Sequence, residues 1–235
     1  MQSALLTFPL FALLTAALGL AASILGWRVM RGFMSDDLFR LLEILARGTF
    51  SFLVFLLALT LTSVRENFVQ TESVVAQESL ELRQLLRGPA VSSELRAEVA
   101  AYARAVADRE WPALSEATPR LSPEAGAALD RLRGTCAGDD LRAIARIEHL
   151  RESRLAHARA GAHAAFWMVM ATVLLVGSFM HGRSPPSRGQ LVVLALYLSA
   201  FGLVFALIRE FERPFSGWVA ASPDPIRSVV EMTGN

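Results

Sequence analysis

Leu56, Thr60, Ser63, Asn67, Gln70, Val74 and Gln77 recur at alternating intervals of four and three residues, the spacing that keeps side chains on one stripe of an α-helix. The polar members begin inside an apolar stretch and continue beyond it. A hydroxyl in hydrocarbon is costly unless it bonds back to its own helix, meets another helix or sees water, so this stripe suits a water-lined path for ions, as in a ring of subunits. The same residues fit a plainer arrangement, in which Thr60 and Ser63 bond to preceding carbonyls and Asn67 to Gln77 form a solvated face. Glu43 and Arg47, four residues apart, are either an i, i+4 ion pair or charges set in an ion path. His149, His157 and His163 fall at intervals of eight and six, which places no two of them at the helical metal-binding interval of four. No nucleophile elbow, phosphate-binding glycine loop or zinc-protease pair occurs. No cofactor is therefore expected, and the chain does not read as an enzyme.

The elements that must carry these residues follow from hydropathy. Apolar residues make up 53% of the 235-residue chain and mean hydropathy is +0.40, too high for a soluble domain of ordinary composition. The surplus lies in four runs. Residues 1–27, 48–64 and 189–208 carry no charged side chain, and residues 160–182 carry only two histidines. About 20 apolar residues cross a hydrocarbon core of roughly 30 Å, so the sequence predicts four membrane spans near 4–27, 42–64, 160–180 and 189–208. The second run is short and recruits the residues before it, with Glu43 and Arg47 snorkelling or facing protein. The first run lacks a basic n-region and is too long for a signal-peptide core, so it is expected to be a retained span. Small-residue pairs such as Gly19 with Ser23, Ala22 with Gly26 and Gly202 with Ala206 would permit close helix crossing.

Between the second and third spans lies a polar insert, 65–159, with 14 arginines against 15 acids. Lysine is absent throughout and the formal net charge is +1, which removes the electrostatic case for nucleic acid. The second span should continue outward as one long helix until Gly88 and Pro89 stop it. Ser92 or Ser93 then caps a helix that ends near Trp111 and Pro112. Ser122, Pro123 and Gly134 punctuate a short third helix. A fourth, capped by Asp139 or Asp140, meets no breaker before Gly161 and should feed directly into the third span. The single Cys136 excludes an intrachain disulfide. The fold class is therefore all-α: four transmembrane helices, a helical extramembrane insert between spans two and three, and a strap and tail over 209–235.

That strap holds the most distinctive run, Glu212, Arg213, Pro214, Phe215 and Gly217. Pro214 should stop the fourth helix and Gly217 permit a turn, leaving Phe215 and Trp218 either to anchor the returning tail against the extramembrane helices or a neighbouring subunit, or to sit as aromatics at the head-group level. With the second-span run from Thr49 to Phe68, Glu78, and the pattern of Tyr102 with Glu110, Trp111 and Pro112, it resembles the bestrophin-like membrane proteins from about Leu41 to Pro225. Members show an acid–Arg–Pro–Phe–x–Gly run here, usually with aspartate where this chain has Glu212. The resemblance implies kinship with bestrophins, pentameric anion channels with four spans and helices inserted between the second and third. Their acidic calcium clasp has no counterpart after Gly217, so calcium gating is not implied.

Together these features lead to an integral protein of the cell (inner) membrane, embedded in the lipid bilayer. It is expected to be a homo-oligomer, with a pentamer as one candidate, and to pass small anions. The alternative is a non-conducting scaffold or sensor whose insert binds a protein partner. Arginine counts do not decide orientation: the uncharged N-terminus followed by Arg28 and Arg31 argues for an insert outside, whereas kinship with bestrophins argues for a cytoplasmic insert, which is the expectation.

Overall fold

The computed structural model describes residues 2–32, 35–87, 91–161, 164–182 and 187–233. Among these the chain is helical and contains no strand. In order come α1 (Gln2–Met30), α2 (Asp36–Leu85), α3 (Ser93–Ala105), a π turn (Val106–Glu110), α4 (Trp111–Leu114), α5 (Pro123–Thr135), α6 (Asp140–Arg159), α7 (Ala164–His181), α8 (Arg188–Phe211) and α9 (Asp224–Thr233). Among the described residues four stretches are long and apolar enough to cross a membrane. The chain is thus a multi-pass membrane protein, all-α as its sequence implies.

Two compact units result, one of Met1–Val64 and Ala162–Arg209, the other of Arg65–Gly161 and Glu210–Asn235. The first holds the apolar stretches. Close helix approach explains its glycines: a Cβ on Gly26 of α1 would stand 2.1 Å from the Phe179 carbonyl oxygen of α7, and one on Gly202 of α8 would stand 2.6 Å from Ala12 Cα of α1. Only a missing side chain lets these backbones meet. Between 22% and 39% of each apolar stretch is buried within the chain, so most of its surface is left for lipid or another copy.

The second unit has a core of its own. One stripe of α2, with Phe68, Val75 and Leu82, packs with Leu95 and Val99 of α3, Leu129 and Leu132 of α5, Ile144 and Ile147 of α6, and Ile226 and Val229 of α9. Ser92 Oγ accepts from Leu95 N–H at 3.0 Å and Ser122 Oγ from Ala125 N–H at 3.2 Å, which satisfies amide groups exposed at two helix starts.

Several boundaries differ from the sequence reading. Pro112 does not end its helix. Residues 106–110 widen into a π turn, closed by Trp111 N–H to Val106 O, and Pro112 falls in the first turn of α4, where its missing N–H costs nothing. Gly134 does not stop α5, which runs on to Thr135. Asp139 makes no side-chain cap. The helix begun at Asp140 does not run into the third span, because it ends at Arg159 and Ala160 leaves the helical region at φ −78°, ψ 65°. The tail is not merely a strap but carries α9, opened by Asp224 and Pro225. Gly88, Pro89, His163 and most of the expected turn between the third and fourth spans lie outside the described residues.

Candidate functional site: the α2 stripe and a buried ion network

The stripe read on α2 divides. Thr60 is buried and its Oγ1 donates to Leu56 O at 2.8 Å, so it follows the plainer, back-bonded arrangement. Asn67 turns towards α6: its Nδ2 donates to His157 O at 3.4 Å and its Oδ1 lies 2.8 Å from His157 Nδ1. Leu56 and Val74 are half-buried. Ser63, Gln70 and Gln77 alone stay exposed, and intervals of seven keep them on one line of the helix. Gln70 donates to Glu66 Oε1 at 3.4 Å and Gln77 to Ser73 Oγ at 3.2 Å. Glu43 and Arg47 form the i, i+4 ion pair at 2.5 Å. His149 is exposed, and no three His, Cys, Asp or Glu side chains among the described residues are grouped as metal ligands.

A denser constellation lies inside the second unit. Glu78 sits on the buried stripe of α2, Tyr102 on α3, Glu110 at the end of the π turn and Arg154 on α6, all with no exposed surface. Tyr102 donates its hydroxyl to Glu78 Oε1 at 2.7 Å. The Arg154 guanidinium bridges two acids: Nη2 donates to Glu78 Oε1 at 3.2 Å and to Glu110 Oε1 at 2.8 Å, with Nε 3.0 Å from Glu78 Oε2. Arg151, one turn earlier, donates to Glu110 Oε2 through Nε at 2.8 Å and to Ser122 O at 2.7 Å, and Ser122 N–H also donates to Glu110 Oε2. Two carboxylates thus face two guanidiniums, a neutral set that permits burial of groups otherwise very costly to remove from water.

Balance is not perfect. Glu78 Oε2 and Arg154 Nη1 complete no hydrogen bond. Burial outweighs the attraction of Arg154 and the Tyr102 hydroxyl and raises Glu78 above the ordinary carboxyl value of 4.5. Burial, with the neighbouring Glu78, also drives Tyr102 well above 10.0. For Arg154 burial opposes the charge, but Glu78, Tyr102 and Glu110 together exceed it and secure the cation. Its Cζ also lies 5.8 Å from the Trp111 ring centre, within cation–π range.

The C-terminal strap closes over this network. Phe215 is buried and meets the Trp111 ring edge-on at 5.1 Å, while Trp111 Nε1 donates to Ala221 O at 3.3 Å. Ala221 N–H bonds to Pro214 O at 2.7 Å. Gly217 has φ +99°, and a Cβ there would stand 2.2 Å from Glu210 Oε2, which accepts from Trp218 N–H at 2.9 Å. The left-handed turn and the carboxylate beneath it both require glycine. Pro214 and Glu212 are buried, Arg213 and Pro112 exposed. Trp218, expected as an anchor, is 69% exposed, because the turn at Gly217 carries its side chain outward while its amide is held.

The structure therefore gathers Glu78, Tyr102, Glu110, Trp111 and Phe215 around two residues the sequence reading missed, Arg151 and Arg154. Their signal was present. They continue the stripe of Ile144 and Ile147 at intervals of four and three, and an arginine on a buried face demands an acid opposite. Glu210 was missed for want of any periodic cue.

A family model described as Bestrophin-like domain matches residues 13–226. Neither the curated proteins nor the solved structures contain a match. Because the matched segment runs from the first apolar helix through the whole ion network to the start of α9, the chain belongs to the bestrophin-like family.

Proposed function

We propose that this membrane protein of the bestrophin-like family assembles as a ring, a pentamer by kinship, whose α2 helices line a path for small anions. The observation that carries the reading is the exposed line of Ser63, Gln70 and Gln77 on α2. These neutral hydrogen-bonding side chains replace water around a permeant ion without holding it by charge, and the opposite stripe of α2 is occupied by core packing. The ion network takes no part in conduction under this reading; it fixes α2 against α3 and α6. No catalytic step is assigned. Mass measurement of the detergent-solubilised particle, followed by chloride flux in liposomes, tests the reading. A ring with flux that falls on Gln70→Leu supports it, whereas a monodisperse monomer, or a ring without flux under any ionic condition, overturns it.

The rival reading is a non-conducting scaffold whose insert docks a protein. The exposed apolar Trp218 and Met232 on the second unit favour it, and it gains if particles are monomeric. We further propose the cell inner membrane, with the insert cytoplasmic.

A further inference from the structure

We infer that the membrane unit carries a binding groove for one phospholipid whose head bears both a phosphate and an amine. Two cavities lie end to end between α2 and α8. The first, about 660 Å³, is lined by Glu43, Arg47, Ser51 and, from the end of α7, His181. The second, about 360 Å³, is lined by Leu57, Ala58, Leu61, Ala200, Phe201 and Val204, with almost no polar surface. Val54 and Tyr197 line both, so a mainly apolar groove that carries Glu43, Arg47, Ser51 and His181 adjoins one with almost no polar surface. The volumes are those of small-molecule sites.

The walls are built rather than accidental. Phe50 meets Tyr197 edge-on at 5.5 Å and stacks on Phe201 at 6.0 Å, and Tyr197 meets Phe201 at 5.0 Å. This aromatic triad holds the junction between the chambers, where an amphiphile changes from polar to apolar. Ala58 and Ala200 leave open the space beyond it. From Val54 to Leu61, α2 rises about 10 Å, within the roughly 15 Å of hydrocarbon in one leaflet.

Charge decides the occupant. Glu43 and Arg47 already pair at 2.5 Å, and both immediately precede the uncharged run 48–64, the end of a span at which head groups are expected. A purely anionic head would satisfy Arg47 but set a second negative charge beside Glu43. A zwitterionic head exchanges the internal pair for two external ones, phosphate to Arg47 and ammonium to Glu43. A second copy of the chain seated in the groove would need instead an apolar ridge continuous with an ion pair of its own.

The full-length protein, delipidated in detergent and reconstituted into vesicles of equal phosphatidylethanolamine and phosphatidylglycerol, would be re-extracted and its retained lipid measured by mass spectrometry. At least one phosphatidylethanolamine per chain, enriched several-fold over the vesicle ratio, is expected. Glu43→Gln with Arg47→Gln should return the ratio to that of the vesicle, and Ala58→Trp should abolish retention. Leu196→Trp, on α8 but outside the groove, should change neither. Retention equal in all variants, or preference for phosphatidylglycerol, would overturn the inference. So would disulfide cross-linking between copies of a Cys136→Ser, Ala200→Cys protein in the bilayer, which would identify a second copy as the occupant.

Discussion

Replacing Arg154 by methionine keeps a long side chain in the core but removes the guanidinium that Glu78 and Glu110 share. Glu110 retains Arg151 and the Ser122 amide, whereas Glu78 is left with the Tyr102 hydroxyl alone. Breaking a buried ion pair from one side typically costs about 3–5 kcal/mol. Glu78 has an escape, because it can take up a proton. The charge penalty therefore cannot exceed the cost of protonating a carboxyl of ordinary value, about 1.4 kcal/mol per pH unit above 4.5. That ceiling is roughly 3.4 kcal/mol at pH 7 and ~0.7 kcal/mol at pH 5. At roughly 2–4 °C per kcal/mol for a chain of this size, Arg154→Met should lower the melting temperature by about 7–14 °C at pH 7 and by a few degrees at pH 5. Thermal unfolding in detergent, followed by helical circular dichroism, reads both. Adding Glu78→Gln to Arg154→Met should recover most of the loss at pH 7. An equal penalty at both pH values, or a double variant no better than the single one, would refute the argument that Glu78 is the group left stranded.

In the otherwise unaltered protein, Glu78 holds its proton more tightly folded than unfolded, so its contribution to stability falls as pH rises from about 4.5 through its raised value. Glu78→Gln should accordingly gain on the parent protein as pH increases across that window, measured by the same melts; a constant difference would contradict it. Gly217→Ala places a side chain at φ +99° and against Glu210, and should cost about 1–3 kcal/mol, with Ser216→Ala as a mild control. Cys136 is the only thiol and is partly exposed on the insert. A membrane-impermeant maleimide should label it in inverted but not in right-side-out vesicles, and the reverse pattern would place the insert outside. Labelling should be slow, since burial and Asp140 raise the thiol above 9.0.

Much of this fold is written in hydropathy. Runs without charge are unambiguous, since lipid admits no other reading of residues such as 189–208, and the caps at Ser92 and Ser122 are local signals that local geometry obeys. What escaped was non-local. Whether Thr60 and Asn67 face a path or the protein depends on which neighbour arrives, and His157 comes from 90 residues away. Pro112 suggested a stop because a proline ring disfavours helix before it, but the π turn relieves that conflict. Glu78, Tyr102, Glu110 and Trp111 were visible as a pattern, yet their mutual contact was not, because the arginine that joins them comes from α6, 76 residues beyond Glu78 and 44 beyond Glu110.

The π turn has a consequence for how this chain can change over time. An extra residue between Ala105 and Trp111 shifts all that follows by about 100° around the helix axis, and that offset is what directs Glu110 inward to Arg151 and Arg154. Deleting one residue there would regularise the backbone and, taken locally, improve it. The shorter chain would turn the acid away and strand a cation in the dark of the core. Length in this segment is held by electrostatics, so single-residue deletions should be far harder to accept here than substitutions at the exposed positions of the same turn.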